Sequence, residues 1–210
     1  MLSQHIVTNA VTFFVVVNPL GLVPLFIAIT RNEPPESRAD IARRGVVIAA
    51  IILIMFIAVG QILLNAMGIS LSSFRIAGSL VLLVIAMRMI LEDEHGPEPT
   101  SGVASDGSTR GRDISVFPLA LPYIAGPGAI MASMLLTDND RFSIPQQAMT
   151  TVVLLIVLAF TYGMLLAAER VHRMLGSTGA NVLTRVMGLV LAALAVEGIL
   201  AGIRGAFSLG

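Results

Sequence analysis

Six apolar stretches, each long enough to cross a bilayer, constrain this chain more than any other feature. Of the 210 residues, 56% are hydrophobic and 12% are charged, whereas a soluble domain carries about 25% charged residues. Because the bilayer interior offers no water to backbone amides, such stretches form helices. We therefore predict an all-α integral membrane protein with six transmembrane helices. They are numbered here as spans 1 to 6: residues 6–30, 46–67, 74–91, 114–137, 149–168 and 182–203.

Two of these spans are interrupted near their centres by clusters of proline and glycine. Span 1 contains NPLGLVP at residues 18–24, and span 4 contains PLALPYIAGPGAI at residues 118–130. Proline removes a backbone donor and clashes with the preceding turn, while glycine permits backbone shapes that a Cβ forbids. We expect span 1 to stop near Asn18 and restart at the next residue or two. We expect span 4 to do the same around residues 126–128.

A polar segment divides the chain into two halves of three spans each. Residues 92–113, rich in Gly, Ser, Pro and charge, predict a flexible cytoplasmic linker between a repeat at 1–91 and a repeat at 114–210. The halves share RIAG at residues 75–78 and RVMG at 185–188, at nearly the same distance from their central breaks. An odd number of crossings inverts the second half. The predicted fold is therefore 3+3 inverted repeats, with spans 1 and 4 broken at the membrane midplane.

Arginine placement predicts the orientation of the chain in the membrane. The sequence has no lysine, and ten of its 13 basic residues fall on one side of the predicted topology: Arg31, Arg38, Arg43, Arg44, Arg88, Arg110, Arg112, Arg170, Arg173 and Arg185. The other three, Arg75, Arg141 and Arg204, fall on the opposite side. The positive-inside rule places the ten in the cytoplasm. We expect a multi-pass protein of the cell inner (plasma) membrane with both termini outside, in the periplasm.

The two breaks together predict a binding site for a small zwitterion. Restarting helices offer free N–H groups and the positive end of a helix dipole, which suit a carboxylate. Freed carbonyls and the Asn18 side chain suit an ammonium group. Helix kinks made only for packing are the alternative, but paired breaks at equivalent depth favour a transport site. The candidate substrate-binding residues are Asn18, Pro19, Leu20, Gly21, Pro24, Pro122, Gly126, Pro127, Gly128 and Ala129.

Three charged residues outside the breaks are candidates for gating or coupling. Arg75 and Arg185 open spans 3 and 6 and either gate the pathway or anchor the helices at the membrane interface. Glu197 lies within span 6 and either carries a coupling proton or pairs with Arg204.

Other polar and small residues predict contacts between helices. Asn9 and Thr12 in span 1, and Gln61 and Asn65 in span 2, are expected to form interhelical hydrogen bonds in preference to binding substrate. Gly198 and Gly202 are expected to form a small-residue packing face.

The break motifs resemble those of the MarC family of bacterial and archaeal membrane proteins, also called the neutral amino acid transporter family. The match comprises N-P-x-G-x-x-P at residues 18–24 and P-L-A-x-P-x-x-x-G-P-G-A-I at 118–130, and it extends to the six-helix layout. The resemblance implies a secondary transporter of small neutral amino acids such as glycine, alanine or serine. Export is the expected direction, with uptake left open.

Two other classes of function are weighed against transport. An intramembrane enzyme needs a nucleophile or metal-binding group at depth, and no Ser–His, Asp–Asp or His-rich set falls inside the spans, so we expect no enzyme activity. A channel, or an exporter of other small molecules, stays an alternative. No cofactor, metal or nucleic acid is expected. The expected partners are the amino acid, the lipid bilayer and a coupling proton or sodium ion, with the oligomeric state open.

Overall fold

The computed structural model describes residues 2–91, 113–139 and 141–207, and every regular element within them is helical. The helices are α1 (Leu2–Val17), α2 (Pro19–Ile29), α3 (Pro35–Ala66), α4 (Leu71–Leu91), α5 (Pro127–Leu135), α6 (Ile144–Leu166) and α7 (Ala168–Ala206). An irregular helical segment, Ser115–Ile124, precedes α5 and is called here the pre-bend segment. The predicted linker, residues 92–113, lies outside the described residues except for Asp113.

Five stretches of helix are long and apolar enough to cross a membrane. Among the described residues they are Ile6–Ile29, Pro35–Ala66, Leu71–Leu91, Ile144–Leu166 and Thr178–Ala206. The pre-bend segment and α5 form a sixth span if they are counted together, with a bend of 55° between them. The chain is therefore an all-helical membrane protein with five or six candidate spans.

Two helices extend further than the apolar pattern predicts. α3 begins at Pro35, well before the predicted start of span 2, because proline suits the first helical position and the following residues are good helix formers. Helix also occupies the predicted loop between spans 5 and 6, where α7 begins at Ala168 and turns at Gly176 with φ of 64°. The hydropathy pattern misses both extensions because their residues are polar.

Small residues let α4 and α7 pack closely as an antiparallel pair. The backbone at Gly198 abuts the Ser79 hydroxyl, so that an added Cβ would collide with it. One turn further, a Cβ at Gly202 would lie 2.6 Å from Ile76 Cγ1. This confirms the small-residue packing face predicted for span 6 and identifies α4 as the helix that it contacts.

Side-chain hydrogen bonds join α1 to α6 and α3 to the chain after α5. Asn9 Nδ2 donates to Thr150 Oγ1 at 2.8 Å, and Gln61 Nε2 donates to Asp138 Oδ1 at 3.2 Å. The Asn9 bond confirms the interhelical contact predicted for span 1, whereas this Gln61 bond reaches the chain after α5 and not another helix. Both bonds matter within a membrane because lipid offers these side chains no alternative partner.

Charged residues gather at the two ends of the helical bundle. At the start of α3, called here the arginine-rich end, Arg38 pairs with Glu169 and Arg44 lies 4.0 Å from Asp113. At the opposite end, Arg141 pairs with Asp138 at 3.4 Å, and Arg204 pairs with Glu197 at 3.6 Å. The bundle thus separates these arginines into the two groups that the sequence predicted.

Candidate functional site

The first break, at Asn18, is closed by the side chain of the same residue. Asn18 adopts a left-handed backbone conformation, with φ of 50° and ψ of 61°, between the end of α1 and Pro19 at the start of α2. Its Oδ1 accepts the N–H of Gly21 at 3.2 Å, and its carbonyl oxygen accepts the N–H of Leu22 at 3.2 Å. The second of these is the regular helix bond, and the first supplies an acceptor to a first-turn donor of α2, so that Asn18 acts as a helix cap.

The second break is a sharp bend that no side chain caps. Ala125 and the extended Gly126 separate the pre-bend segment from Pro127 at the start of α5. None of the described side chains caps α5, and the first-turn N–H groups of Gly128 and Ala129 have no acceptor within a regular helix. Both residues are buried, Ala129 with only 2% exposure. The buried N–H of Ala129 thus lacks the side-chain acceptor that Asn18 gives the corresponding N–H of Gly21.

Glycine is required at the bend because the backbone approaches itself closely there. A Cβ on Gly126 would lie 2.5 Å from the carbonyl oxygen of Pro122. A backbone atom cannot move aside as the end of a side chain can. The Gly126 position therefore fixes the angle at which α5 leaves the pre-bend segment.

The two breaks lie against the same face of α4. A Cβ on Gly128 would come within 2.7 Å of Leu82 Cδ1 and 3.0 Å of Val16 Cγ1, so α5 starts in contact with the end of α1. Asn18 Nδ2 lies 4.0 Å from Met89 Sδ. Leu82 and Met89 are seven residues apart and so share one face of α4. We call residues 18–21 and 126–129, with these two α4 side chains, the break site.

The predicted substrate-binding residues differ in how far they are buried within the protein. Pro19, Gly126, Gly128 and Ala129 are buried; Asn18, Leu20, Gly21 and Pro24 are half-buried; Pro122 and Pro127 are exposed. The close contacts at Gly128 leave no room for a side chain there. A leucine at Gly128 would therefore collide with the helices themselves, and not only with a bound substrate.

A cavity of about 330 Å³ lies at the arginine-rich end and not at the break site. Its lining includes Glu33, Asp40, Arg44 and Asp113. Ser115 donates to Asp113 Oδ1 from its hydroxyl at 2.6 Å and from its N–H at 3.0 Å. These hydrogen bonds, with a smaller contribution from Arg44, hold the pKa of Asp113 below its ordinary value. The carboxylate caps the start of the pre-bend segment.

Two of the three gating and coupling candidates, Arg75 and Glu197, lie at the end of the bundle opposite the arginine-rich end. The half-buried Arg75 has charged neighbours at the opposite end, among them Arg141 and Glu197, and its Nε has no hydrogen-bond partner among the described residues. The Glu197 side chain is 64% exposed beside Arg204, which is the pairing that the sequence offered as its alternative to proton transfer. Arg185 is exposed on α7.

Sequence reasoning missed the side chains that face the breaks from α4. Leu82 and Met89 are apolar residues in an apolar helix, and nothing in their local pattern separates them from lipid-facing neighbours. It also missed Asp138, whose side chain is 4% exposed and which joins α3 to the chain after α5 through Gln61. An aspartate directly after a predicted span was the available signal for this contact.

The helical bundle, the long apolar spans and the separation of charge to its ends define a multi-pass integral membrane protein. Within that class, a sequence model described as MarC family integral membrane protein matches residues 3–207. The chain belongs to the MarC family.

Curated relatives match over almost their whole length. UPF0056 membrane protein MJ1677 of Methanocaldococcus jannaschii is 36% identical over 207 residues, covering 97% of this chain and 98% of that protein. UPF0056 membrane protein YvbG of Bacillus subtilis is 32% identical, covering 99% and 98%. UPF0056 inner membrane protein YhgN of Escherichia coli is 31% identical, covering 96% and 97%. No solved structure matches the chain.

Proposed function

We propose that this protein is a secondary transporter of small neutral amino acids, with the substrate bound at the break site and exposed alternately to either side of the membrane. One observation carries the proposal: the start of α5 is buried within a membrane span and has no side-chain cap, and it lies beside the end of α1. Unpaired backbone donors at such a place are costly unless a ligand uses them.

The substrate carboxylate is proposed to accept hydrogen bonds from the N–H groups of Gly128 and Ala129. The helix dipole of α5 favours negative charge at this point. Asn18 contributes its Nδ2 as a further donor, since its Oδ1 is occupied by Gly21. This assignment moves Asn18 from the ammonium, where the sequence placed it, to the carboxylate.

The substrate ammonium is proposed to bind carbonyl oxygens on the other side of the bend. Pro122 and Pro127 have no N–H, so carbonyls one turn before each of them lack the donor of a continuous helix. The pairing of N–H groups with carbonyls needs no charged side chain. It therefore suits a zwitterion with no net charge, and the tight contacts at Gly128 favour a small one.

The packing of the helices supports an inverted-repeat arrangement. A two-fold axis in the membrane plane would exchange span 1 with 4, 2 with 5 and 3 with 6. The packing of α2 on α7 then has its counterpart in α5 on α4, and that of α2 on α6 in α5 on α3. The packing of α1 on α6 has its counterpart in the pre-bend segment on α3. The pairs α4 with α7 and α3 with α6 map onto themselves. On this proposal the two breaks meet near the midplane, close to the axis.

Labelled amino acid flux into proteoliposomes tests the proposal. We expect uptake of glycine and alanine that exceeds that of leucine, measured with and without proton and sodium gradients to identify the coupling ion. Glycinamide, which lacks the carboxylate, should compete poorly with glycine. Protein-free liposomes provide the background.

Three results would contradict the transport proposal or its site. Absence of flux for every amino acid under every gradient would contradict the proposal that the protein is a transporter. A steady ion conductance without saturable flux would favour the alternative of a channel. Competition by glycinamide as strong as by glycine would place the carboxylate somewhere other than the start of α5.

Both termini are proposed to lie outside, with the arginine-rich end in the cytoplasm. Because the sequence contains no cysteine, single cysteines can be introduced without background. Gln4→Cys should react with a membrane-impermeant thiol reagent in intact cells, and Ser105→Cys should react only after the membrane is opened. The reverse result would invert the orientation.

A further inference from the structure

We propose that Met89 is a specificity-determining residue, whose side chain occupies part of the substrate's place beside Asn18 and closes the break site toward the arginine-rich end. The inference rests on the proposed transport function and extends it to a residue that the break motifs do not contain.

The first observation is the weak partner of the Asn18 amide. Its Oδ1 is committed to the N–H of Gly21, while its Nδ2 is directed at Met89 Sδ at a distance of 4.0 Å. A thioether sulfur is a poor acceptor, and a half-buried amide in a membrane span gains much from a stronger one. A substrate carboxylate in the place of the sulfur supplies that acceptor.

The second observation concerns the backbone of α4 beside Met89. A Cβ added to Gly188 of α7 would lie 3.0 Å from Met89 Cβ and 3.1 Å from the carbonyl oxygen of Ala86. The backbone of α4 is therefore held tightly against α7 at this level. Methionine is flexible enough to swing aside without a shift of the helix.

The position of Met89 along α4 gives the direction in which it closes the site. α4 begins at the opposite end, where Ser72 lies against Gly205 near the end of α7. Met89 is two residues from the C-terminal end of α4, and Leu82, two turns deeper, contacts the start of α5 at Gly128. Met89 thus covers Asn18 on the side of the arginine-rich end. The space between the Met89 side chain and Asn18 limits the size of the substrate.

Substrate selectivity in proteoliposomes tests this role, with Met89→Ala as the variant. Removing the side chain should raise the leucine-to-glycine flux ratio by about tenfold, the scale on which a few methylene groups are discriminated in an apolar pocket. The matched control is Met87→Ala, two residues away and 43% exposed, which should keep the wild-type ratio. An unchanged ratio in an active Met89→Ala variant would overturn the inference while leaving the transport proposal intact.

Chemical protection provides a second measurement that does not depend on the cavity left by alanine. In Met89→Cys, glycine or alanine should slow modification by a small thiol reagent, whereas in Met87→Cys the rate should be the same with and without amino acid. Equal rates at Met89→Cys would overturn the inference. Wild-type protein that transports no amino acid would instead overturn the proposed function and this inference together.

Discussion

The two breaks have similar sequences but are stabilised in opposite ways. At the first, the chain supplies its own cap: Asn18 turns the backbone through a left-handed conformation and accepts the Gly21 N–H. At the second, Gly126 is extended and α5 starts without a side-chain cap. The comparison shows that the two helix starts differ at one position: the chain caps the Gly21 N–H at the first break and leaves the corresponding Ala129 N–H without a side-chain acceptor at the second.

The difference follows from the residue that precedes each proline. Asparagine tolerates the left-handed region and carries a side chain that can reach back to the helix start. Glycine at the corresponding position has no side chain and permits the close approach to the Pro122 carbonyl that forms the bend. One substituent on a Cα atom therefore separates a capped helix start from an open one.

The largest expected effect is that of Gly126→Ala. The new Cβ would meet the Pro122 carbonyl at 2.5 Å, and neither backbone can yield without changing the angle of α5. We expect a loss of about 3 kcal/mol in the free energy of unfolding, at the upper end for overpacking. Denaturant titration in mixed micelles measures it.

Gly163→Ala is the matched control for that substitution. Gly163 lies in α6 with no atom within 4 Å of an added Cβ, so the change should stabilise the helix by about 0.5–1 kcal/mol. If the two variants unfold alike, the second break does not depend on the close approach at Gly126.

A smaller effect is expected from Gly21→Ala at the first break. The added Cβ would collide with the Asn18 side chain, which can rotate away only by giving up its bond to the Gly21 N–H. The loss should be about 1–2 kcal/mol, the usual value of a helix cap. The same unfolding titration measures it.

A double-mutant cycle shows whether this cost comes from the cap. In an Asn18→Ala background the collision and the cap are both absent, so Gly21→Ala should cost about 1 kcal/mol less than in the wild type. Strict additivity of the two substitutions would show that Asn18 does not cap α2. The two breaks would then not differ in side-chain capping.

The smallest effect is expected from Asp113→Asn, at the start of the pre-bend segment. The folded-state pKa of Asp113 is lowered by the Ser115 bonds, so its contribution to stability is present above the pKa of the unfolded chain and is lost as pH falls through the folded value. Because the side chain is 48% exposed, solvent screens the contribution.

Unfolding of the wild type and the Asp113→Asn variant across acidic and neutral pH checks this prediction. The wild type should be slightly more stable at neutral pH, and the difference should vanish in acid. A loss as large as that of Gly126→Ala would mean that the start of the pre-bend segment, and not the bend, holds the second break in place.

Much of the architecture follows from local chemistry that the sequence displays. Apolar length predicts helices that span a membrane, and the backbone leaves the α-helical conformation at Asn18 and around Gly126, where proline and glycine predict it. Arginine position predicts which charged residues share an end. Apolar length did not predict the helix starts at Pro35 and Ala168. Helix continues there through polar residues, because helix propensity does not depend on hydropathy.

Tertiary structure alone decided what surrounds the breaks. The sequence could place Asn18 at a helix start, but not show that its Oδ1 serves Gly21 while its Nδ2 faces Met89. Local steric rules act over a few residues and can be read along the chain. The choice of Leu82 and Met89, among many similar apolar side chains, depends on how α1, α4 and α5 pack together, and in an apolar medium that packing is set by shape and not by hydrophobicity.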